Sequence, residues 1–258
     1  MAEFFDQICR ILSETAAKRP GETVNDEAVR EFFLDLPSVP VYPQKEAVPE
    51  IVPEKATPRQ SAVDTTGERK ISGSLDSLRE TLAGCQRCPL CRHRNSIVFG
   101  EGNPDARLMF VGEAPGYDED IQGRPFVGKA GQLLDKMIRA MQFSREEVYI
   151  ANVVKCRPDG NRNPMPDEIE KCIPFLHRQI AMVRPEVIVV LGAVAAKALL
   201  KTENGISSLR GRWCSYENIP VMPTFHPAYL LRQESAKKEA WHDLQLVMAR
   251  FGKYHKKN

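Results

Sequence analysis

The sequence predicts an α/β domain: a three-layer α/β/α sandwich around a central, mainly parallel four-stranded sheet. Three observations predict it. Four short apolar runs have strand length: Arg107–Val111, Val148–Val154, Val187–Leu191 and Val221–Phe225. Helical patterns separate them, near 129–142, 167–182 and 193–200, and a last helix is read at 236–251. A glycine-rich turn, Gly112 to Gly116, closes the first run, where open α/β sheets place ligand sites.

Taken in order, the chain opens with two helical patterns. Phe4, Phe5, Ile8, Ile11 and Leu12 recur at helical spacing, and Val24, Ala28, Phe32 and Phe33 do so less cleanly before Pro37. Residues 1–36 therefore read as a helical extension, which either docks a partner protein or packs back on its own chain. Residues 37–70 carry Pro37, Pro40, Pro43, Pro49, Pro53 and Pro58 among Glu, Lys and Thr. Such a run cannot sustain a helix and is expected to be an extended, mobile linker. The folded domain is expected over 71–258, beginning with a helix from Leu75 to Leu82.

Composition bounds the function. At 42% hydrophobic and 27% charged residues, a soluble globular domain is expected. No apolar run approaches a membrane span and no signal-peptide pattern opens the chain, so a cytoplasmic location is expected. Residues 1–70 carry 9 Lys+Arg against 13 Asp+Glu, and residues 71–258 carry 27 against 21. A basic body behind an acidic tail suits a protein that meets a polyanion with its body.

Seven cysteines in such a chain favour a metal or cluster site over disulfides. Cys85 and Cys88 share one short turn, and Cys91 repeats the spacing. Cys156 and Cys172 have 15 residues between them, a segment with Pro158, Pro164 and Pro166, loop enough to bring both sulfurs to one centre. Spacing does not separate a [4Fe–4S] cluster from a four-cysteine zinc site. Cys9 and Cys214 read as structural.

The run Gly112-Glu113-Ala114-Pro115-Gly116-Tyr117-Asp118-Glu119-Asp120, with Gly123-Arg124-Pro125-Phe126-Val127-Gly128 behind it, resembles the first motif of the uracil-DNA glycosylase superfamily in its iron–sulfur branch, family 4. Phe225-His226-Pro227-Ala228-Tyr229-Leu230-Leu231-Arg232 resembles the second motif, and the four cysteines complete the likeness over roughly residues 80 to 250. The resemblance implies a [4Fe–4S] cluster on Cys85, Cys88, Cys156 and Cys172, with Cys91 spare. It implies uracil-containing DNA as substrate, a flipped base and hydrolysis of the N-glycosidic bond by a monomer. The alternative is a non-catalytic iron–sulfur protein that binds nucleic acid beside a replication complex. An electron-transfer role would leave Glu113, Asn152 and His226 without purpose.

Excision of uracil builds cationic sugar and an anionic base, so the pocket should offer an aromatic face, an amide for the base edge and a donor to a carbonyl oxygen. Phe126 is the candidate face, or else a core aromatic beside a glycine turn. Asn152, polar within Tyr149-Ile150-Ala151-Asn152-Val153-Val154, either reads uracil O4 and N3–H or is satisfied by neighbouring backbone. By resemblance His226 donates to uracil O2, Glu113 positions or activates water or offsets the sugar's charge, and Ala114 and Pro115 touch the substrate. Where the better-known family 1 motif has Asp, this chain has Ala114. Asp120 is a further acid that contributes to the site or pins its loop. The stretch Asp159 to Pro164 lacks the histidine by which some relatives trap the sugar, so no covalent intermediate is expected. Leu230 and Leu231 are candidate wedges, and Arg232, Lys129, Lys155, Arg157, Arg210 and Arg212 candidate phosphate contacts.

Overall fold

The computed structural model describes residues 26–33 and 74–253. The helical pattern at Phe4 to Leu12, Cys9 and the proline-rich stretch 37–70 lie outside the described residues.

Four parallel strands form the centre: β2 (Leu108–Gly112), β3 (Tyr149–Asn152), β4 (Val187–Leu191) and β6 (Ile219–Thr224). Two short antiparallel strands, β1 (Glu101–Gly102) and β5 (Cys214–Tyr216), edge them, giving the order β1-β3-β2-β4-β6-β5. The sheet thus has six strands where the sequence predicts four. The two added strands are two and three residues long, too short for a period-2 pattern to register. Cys214 opens β5 and is a strand residue, as a structural reading requires.

β2, β3 and β4 are buried along their whole length, as strands covered on both faces must be. Their side chains alternate between two cores. Leu108, Phe110, Val187 and Val189 face one core with α4 (Lys129–Ala140) and α9 (Lys237–Arg250), for example Leu134 and Leu244. Met109, Val111, Ile188 and Val190 face the other, with α2 (Leu75–Leu82), α5 (Pro166–Val183) and α6 (Ala193–Leu200). Alternation at period 2 is what builds three layers from one sheet.

Helix α1 (Asp26–Phe33) packs on the first of these cores. Phe32 and Phe33 are buried, with their rings 6.1 and 6.3 Å from that of Trp241 on α9, and Glu31 pairs with Arg139 of α4. For Asp26–Phe33, the packed-back alternative describes the arrangement. Other helices start on recognisable signals: Ser74 caps α2 reciprocally with Ser77, and Pro166 opens α5.

β2 connects to β3 on one side and the chain then crosses to β4 on the other. That reversal leaves a crevice beyond the carboxyl ends of the parallel strands, which is where the cleft lies.

Candidate active site and cysteine basin

A cleft of about 420 Å³ opens at those strand ends. Glu113 follows β2, Asn152 ends β3 and His226 follows β6 by two residues, so the sheet delivers all three to one place. Ala114, Pro115 and Phe126 also line the cleft. The structure therefore gathers Glu113, Ala114, Pro115, Phe126, Asn152 and His226 in one cleft.

Gly112 makes the floor possible. A Cβ there would stand 2.4 Å from Asn152 Oδ1 and 2.5 Å from Phe126 Cζ, closer than any real Cβ contact. Phe126 itself has a left-handed backbone, with φ 51°. Glu119 holds that conformation: Oε1 accepts from the N–H groups of Val127 (2.8 Å) and Gly128 (2.9 Å), and Oε2 accepts from Gly116 N–H (3.0 Å). One carboxylate thus ties the start of α3 (Tyr117–Gln122) to the loop carrying the aromatic face. The sequence reading passed over Glu119. Its signal was an acid three residues after Gly116, the spacing of a capping box.

Asn152 is 1% exposed, yet its Oδ1 has no hydrogen-bond partner. A buried polar atom without a partner costs about 1–3 kcal/mol, so such an atom at a cleft floor marks a place for a donor. His226 lies beside Phe126, ring centroids 5.7 Å apart at 31°. Its Nδ1 accepts from Ala228 N–H at 3.1 Å, capping α8 (Pro227–Leu230). That bond puts the ring proton on Nε2 and makes it a donor. Burial, with Arg232 adding to it, pulls the His226 pKa down to about 4, so the imidazole is neutral near pH 7. Burial alone pushes the Glu113 carboxyl above its ordinary value. Among the described residues, no cation beside it pulls that value back down, and it lines the cleft wall.

Other candidates fall elsewhere. Asp120 is buried and accepts from Asn95 N–H, Asn95 Nδ2 and Ser96 N–H, so it pins the loop and stays out of the cleft. Lys155 is buried, contrary to a phosphate role. Arg210 is occupied too: it pairs with buried Asp243 and lies over the Phe225 ring. Arg162 is bound bidentately by Glu168. Lys129, Arg162, Asn163 and Arg232 border the cleft, and Arg157 stacks at 5.1 Å on Tyr117 at its rim. Leu230 is fully buried and cannot be a wedge, whereas Leu231 is 41% exposed.

Behind the cleft lies a basin lined by Cys85, Cys88, Cys156 and Cys172. All four thiols are free, and Cys91 does not line the basin. The first pair comes from the loop after α2, Cys156 from the loop after β3, and Cys172 from α5. Arg94 donates to Cys156 Sγ at 3.4 Å and to the Cys85 carbonyl at 2.7 Å; Lys155 N–H donates to Cys172 Sγ at 3.3 Å. Burial raises the Cys172 thiol to about 11 and also raises Cys88 and Cys156. Among the described residues, no three donors converge tightly enough for a single ion. Four sulfurs around one basin, with Arg94 donating to one of them, form the donor set of a tetrathiolate centre.

Comparison with known proteins agrees with this geometry. The model of the Uracil DNA glycosylase superfamily matches residues 99–245, more than half of the chain. The chain is 47% identical over 165 residues to a type-4 uracil-DNA glycosylase of Thermotoga maritima, covering 62% of this chain and 85% of that protein. It is 43% identical over 183 residues to one from Saccharolobus solfataricus (67% and 85%) and 40% identical over 188 residues to one from Archaeoglobus fulgidus (70% and 94%). With the motifs, the cleft and these relatives in agreement, the chain belongs to the uracil-DNA glycosylase superfamily.

Proposed function

We propose that this chain is a monofunctional uracil-DNA glycosylase of the type-4 kind, hydrolysing the bond between uracil and deoxyribose and so starting base excision repair. The unpartnered Asn152 Oδ1 at the cleft floor carries the reading. Uracil offers N3–H to that oxygen and O4 to the amide N–H, while cytosine would meet the amide donor with its own N4 donor. Phe126 supplies the stacking face.

The flipped base enters from DNA, with Leu231 filling the gap in the stack and Arg232 on a phosphate. As the C1′–N1 bond breaks, charge grows on uracil O2, and the neutral His226 donates to it through Nε2. Glu113, ionised, faces the cationic sugar and orients the attacking water. The stretch Asp159 to Pro164, which borders the cleft at Asn161, Arg162 and Asn163, holds no histidine to trap the sugar, so water completes the reaction.

Cys85, Cys88, Cys156 and Cys172 are the residues that would hold a [4Fe–4S] cluster. Bound there, it would supply a mechanical tie, since these cysteines lie on the segment before β1, the loop after β3 and helix α5. Thiols kept reduced for such a cluster suit the cytoplasm, and among the described residues no helix is long and apolar enough to cross a membrane. One chain supplies the whole cleft, in keeping with a monomer. Residues 1–25, ahead of the packed helix Asp26–Phe33, remain the candidate segment for a protein partner, and 71–258 the catalytic domain.

The test is base release from a uracil-containing oligonucleotide by anaerobically purified protein. Free uracil and an abasic site are expected. Binding to the oligonucleotide without release would favour the non-catalytic nucleic-acid-binding alternative.

A further inference from the structure

We infer that Lys155 is a positioning residue that couples the cysteine basin to the base-reading end of β3. The inference rests on Asn152 reading uracil, as proposed above.

Lys155 is 1% exposed and sits three residues after Asn152 and one before Cys156. Its ammonium donates to the Asn152 carbonyl at 2.8 Å and to Gln179 Oε1 at 2.6 Å. Its own N–H donates to Cys172 Sγ at 3.3 Å, and its carbonyl accepts from Val98 N–H at 2.8 Å. One residue therefore touches the reader, a basin cysteine, α5 and the segment after the first cysteine pair. Gln179 extends the set, donating through Nε2 to the Phe99 carbonyl at 2.8 Å and to Tyr149 Oη at 3.2 Å.

A buried ammonium is costly unless it is paired, and an aliphatic side chain would fill this space without that cost. What the ammonium adds is a fixed bond to the backbone of the one residue whose side-chain oxygen waits in the cleft. A shift of the basin that drags Lys155 must move the Asn152 carbonyl, and the amide moves with it. The same cation lies beside the sulfurs, where it offsets the negative charge of a tetrathiolate centre.

The test compares Lys155→Met with Leu176→Ala in the full-length, anaerobically purified protein. Leu176 is a buried core residue of α5 outside the cleft and the basin lining. Lys155→Met is expected to keep its iron, to shift the cluster's midpoint potential to a more negative value, and to raise the inhibition constant of free uracil by about tenfold. Leu176→Ala should lower thermal stability and leave both readouts in place. Uracil inhibition unchanged in Lys155→Met, or both shifts reproduced by Leu176→Ala, would overturn the coupling. If Lys155→Met does not fold, Gln179→Met decides: a rise in the inhibition constant of about threefold or more supports the proposal, and no change sinks it. Failure of the wild-type protein to release uracil at all would instead remove the glycosylase reading on which the coupling stands.

Discussion

Asn152 and Asp243 are both buried polar side chains, and they differ in one respect. Asp243, on α9, is fully enclosed and fully engaged: Thr224 Oγ1 donates to it at 2.7 Å and Arg210 grips it through two nitrogens. Asn152, at the end of β3, keeps Oδ1 without a partner. Thr224 and Asn152 both end parallel strands at the same edge of the sheet. The satisfied group braces the edge from behind; the unsatisfied one faces the space where a base can bind. Burial alone therefore does not mark function, and neither does a missing partner alone, since His177 Nε2 and Trp241 Nε1 also lack one; Asn152 Oδ1 is set apart because its residue also lines the cleft.

Four substitutions can break that contrast. The largest effect is expected from Asn152→Asp, which puts an acceptor where the amide donates. Single-turnover excision of uracil should fall on the order of a thousandfold or more, with weak activity on cytosine appearing. Full uracil excision by this variant would mean that the Asn152 amide does not read the base. Asp243→Ala should act in the opposite register. Leaving Arg210 without its buried partner is expected to cost about 3–5 kcal/mol of stability in denaturant titration. At temperatures where the variant is folded, excision should stay within a few-fold of wild type. A large loss of excision with unchanged stability would erase the distinction between the two sites.

His226→Ala comes next. Loss of a donor that acts as charge develops costs on the order of 3 kcal/mol, roughly a hundredfold in single-turnover rate. Binding to uracil DNA should weaken far less. Weakened binding with an unchanged rate would make His226 a positioning residue only.

The smallest and most diagnostic change is Glu113→Gln. Burial raises the carboxyl's pKa in the folded protein, so ionisation opposes folding above that value. The neutral amide should therefore raise the melting temperature near pH 7 while slowing excision. For the same reason wild-type excision should decline on the acid side as Glu113 takes up its proton. His226, with its pKa near 4, is neutral through most of that range. The acid limb should therefore persist in His226→Ala, measured as single-turnover rate against pH. A limb that vanished in His226→Ala would reassign it to the imidazole.

The same contrast separates what was legible in the sequence from what was not. The four parallel strands were legible because a run such as Val187–Leu191 is apolar throughout, and only a strand buried on both faces needs that. The edge strands Glu101–Gly102 and Cys214–Tyr216 were not, because so few residues carry no period. Phe126, Asn152, Glu113 and His226 could be named because each sits at a strand end or glycine turn within a recognisable motif. Glu119 was missed, although it shapes the turn holding Phe126, because two of its three acceptor bonds reach Val127 and Gly128, backbone groups that meet it only after folding.

The sequence by itself determined the α/β class, and its likeness to the family's motifs singled out the four cysteines that line the basin and Glu113, Phe126, Asn152 and His226 of the cleft. The class follows from residue type and local spacing and the site residues from motif order, neither of which folding changes. Only the tertiary structure decided which polar groups find partners. Lys155, Arg210 and Asp120 read as surface or site residues along the chain, yet each is bound to acceptors or donors 3 to 33 positions away. Asn152 Oδ1 is left out of that pairing. A hydrogen bond depends on distance and angle between groups brought together by the fold, and no local pattern of residues encodes either.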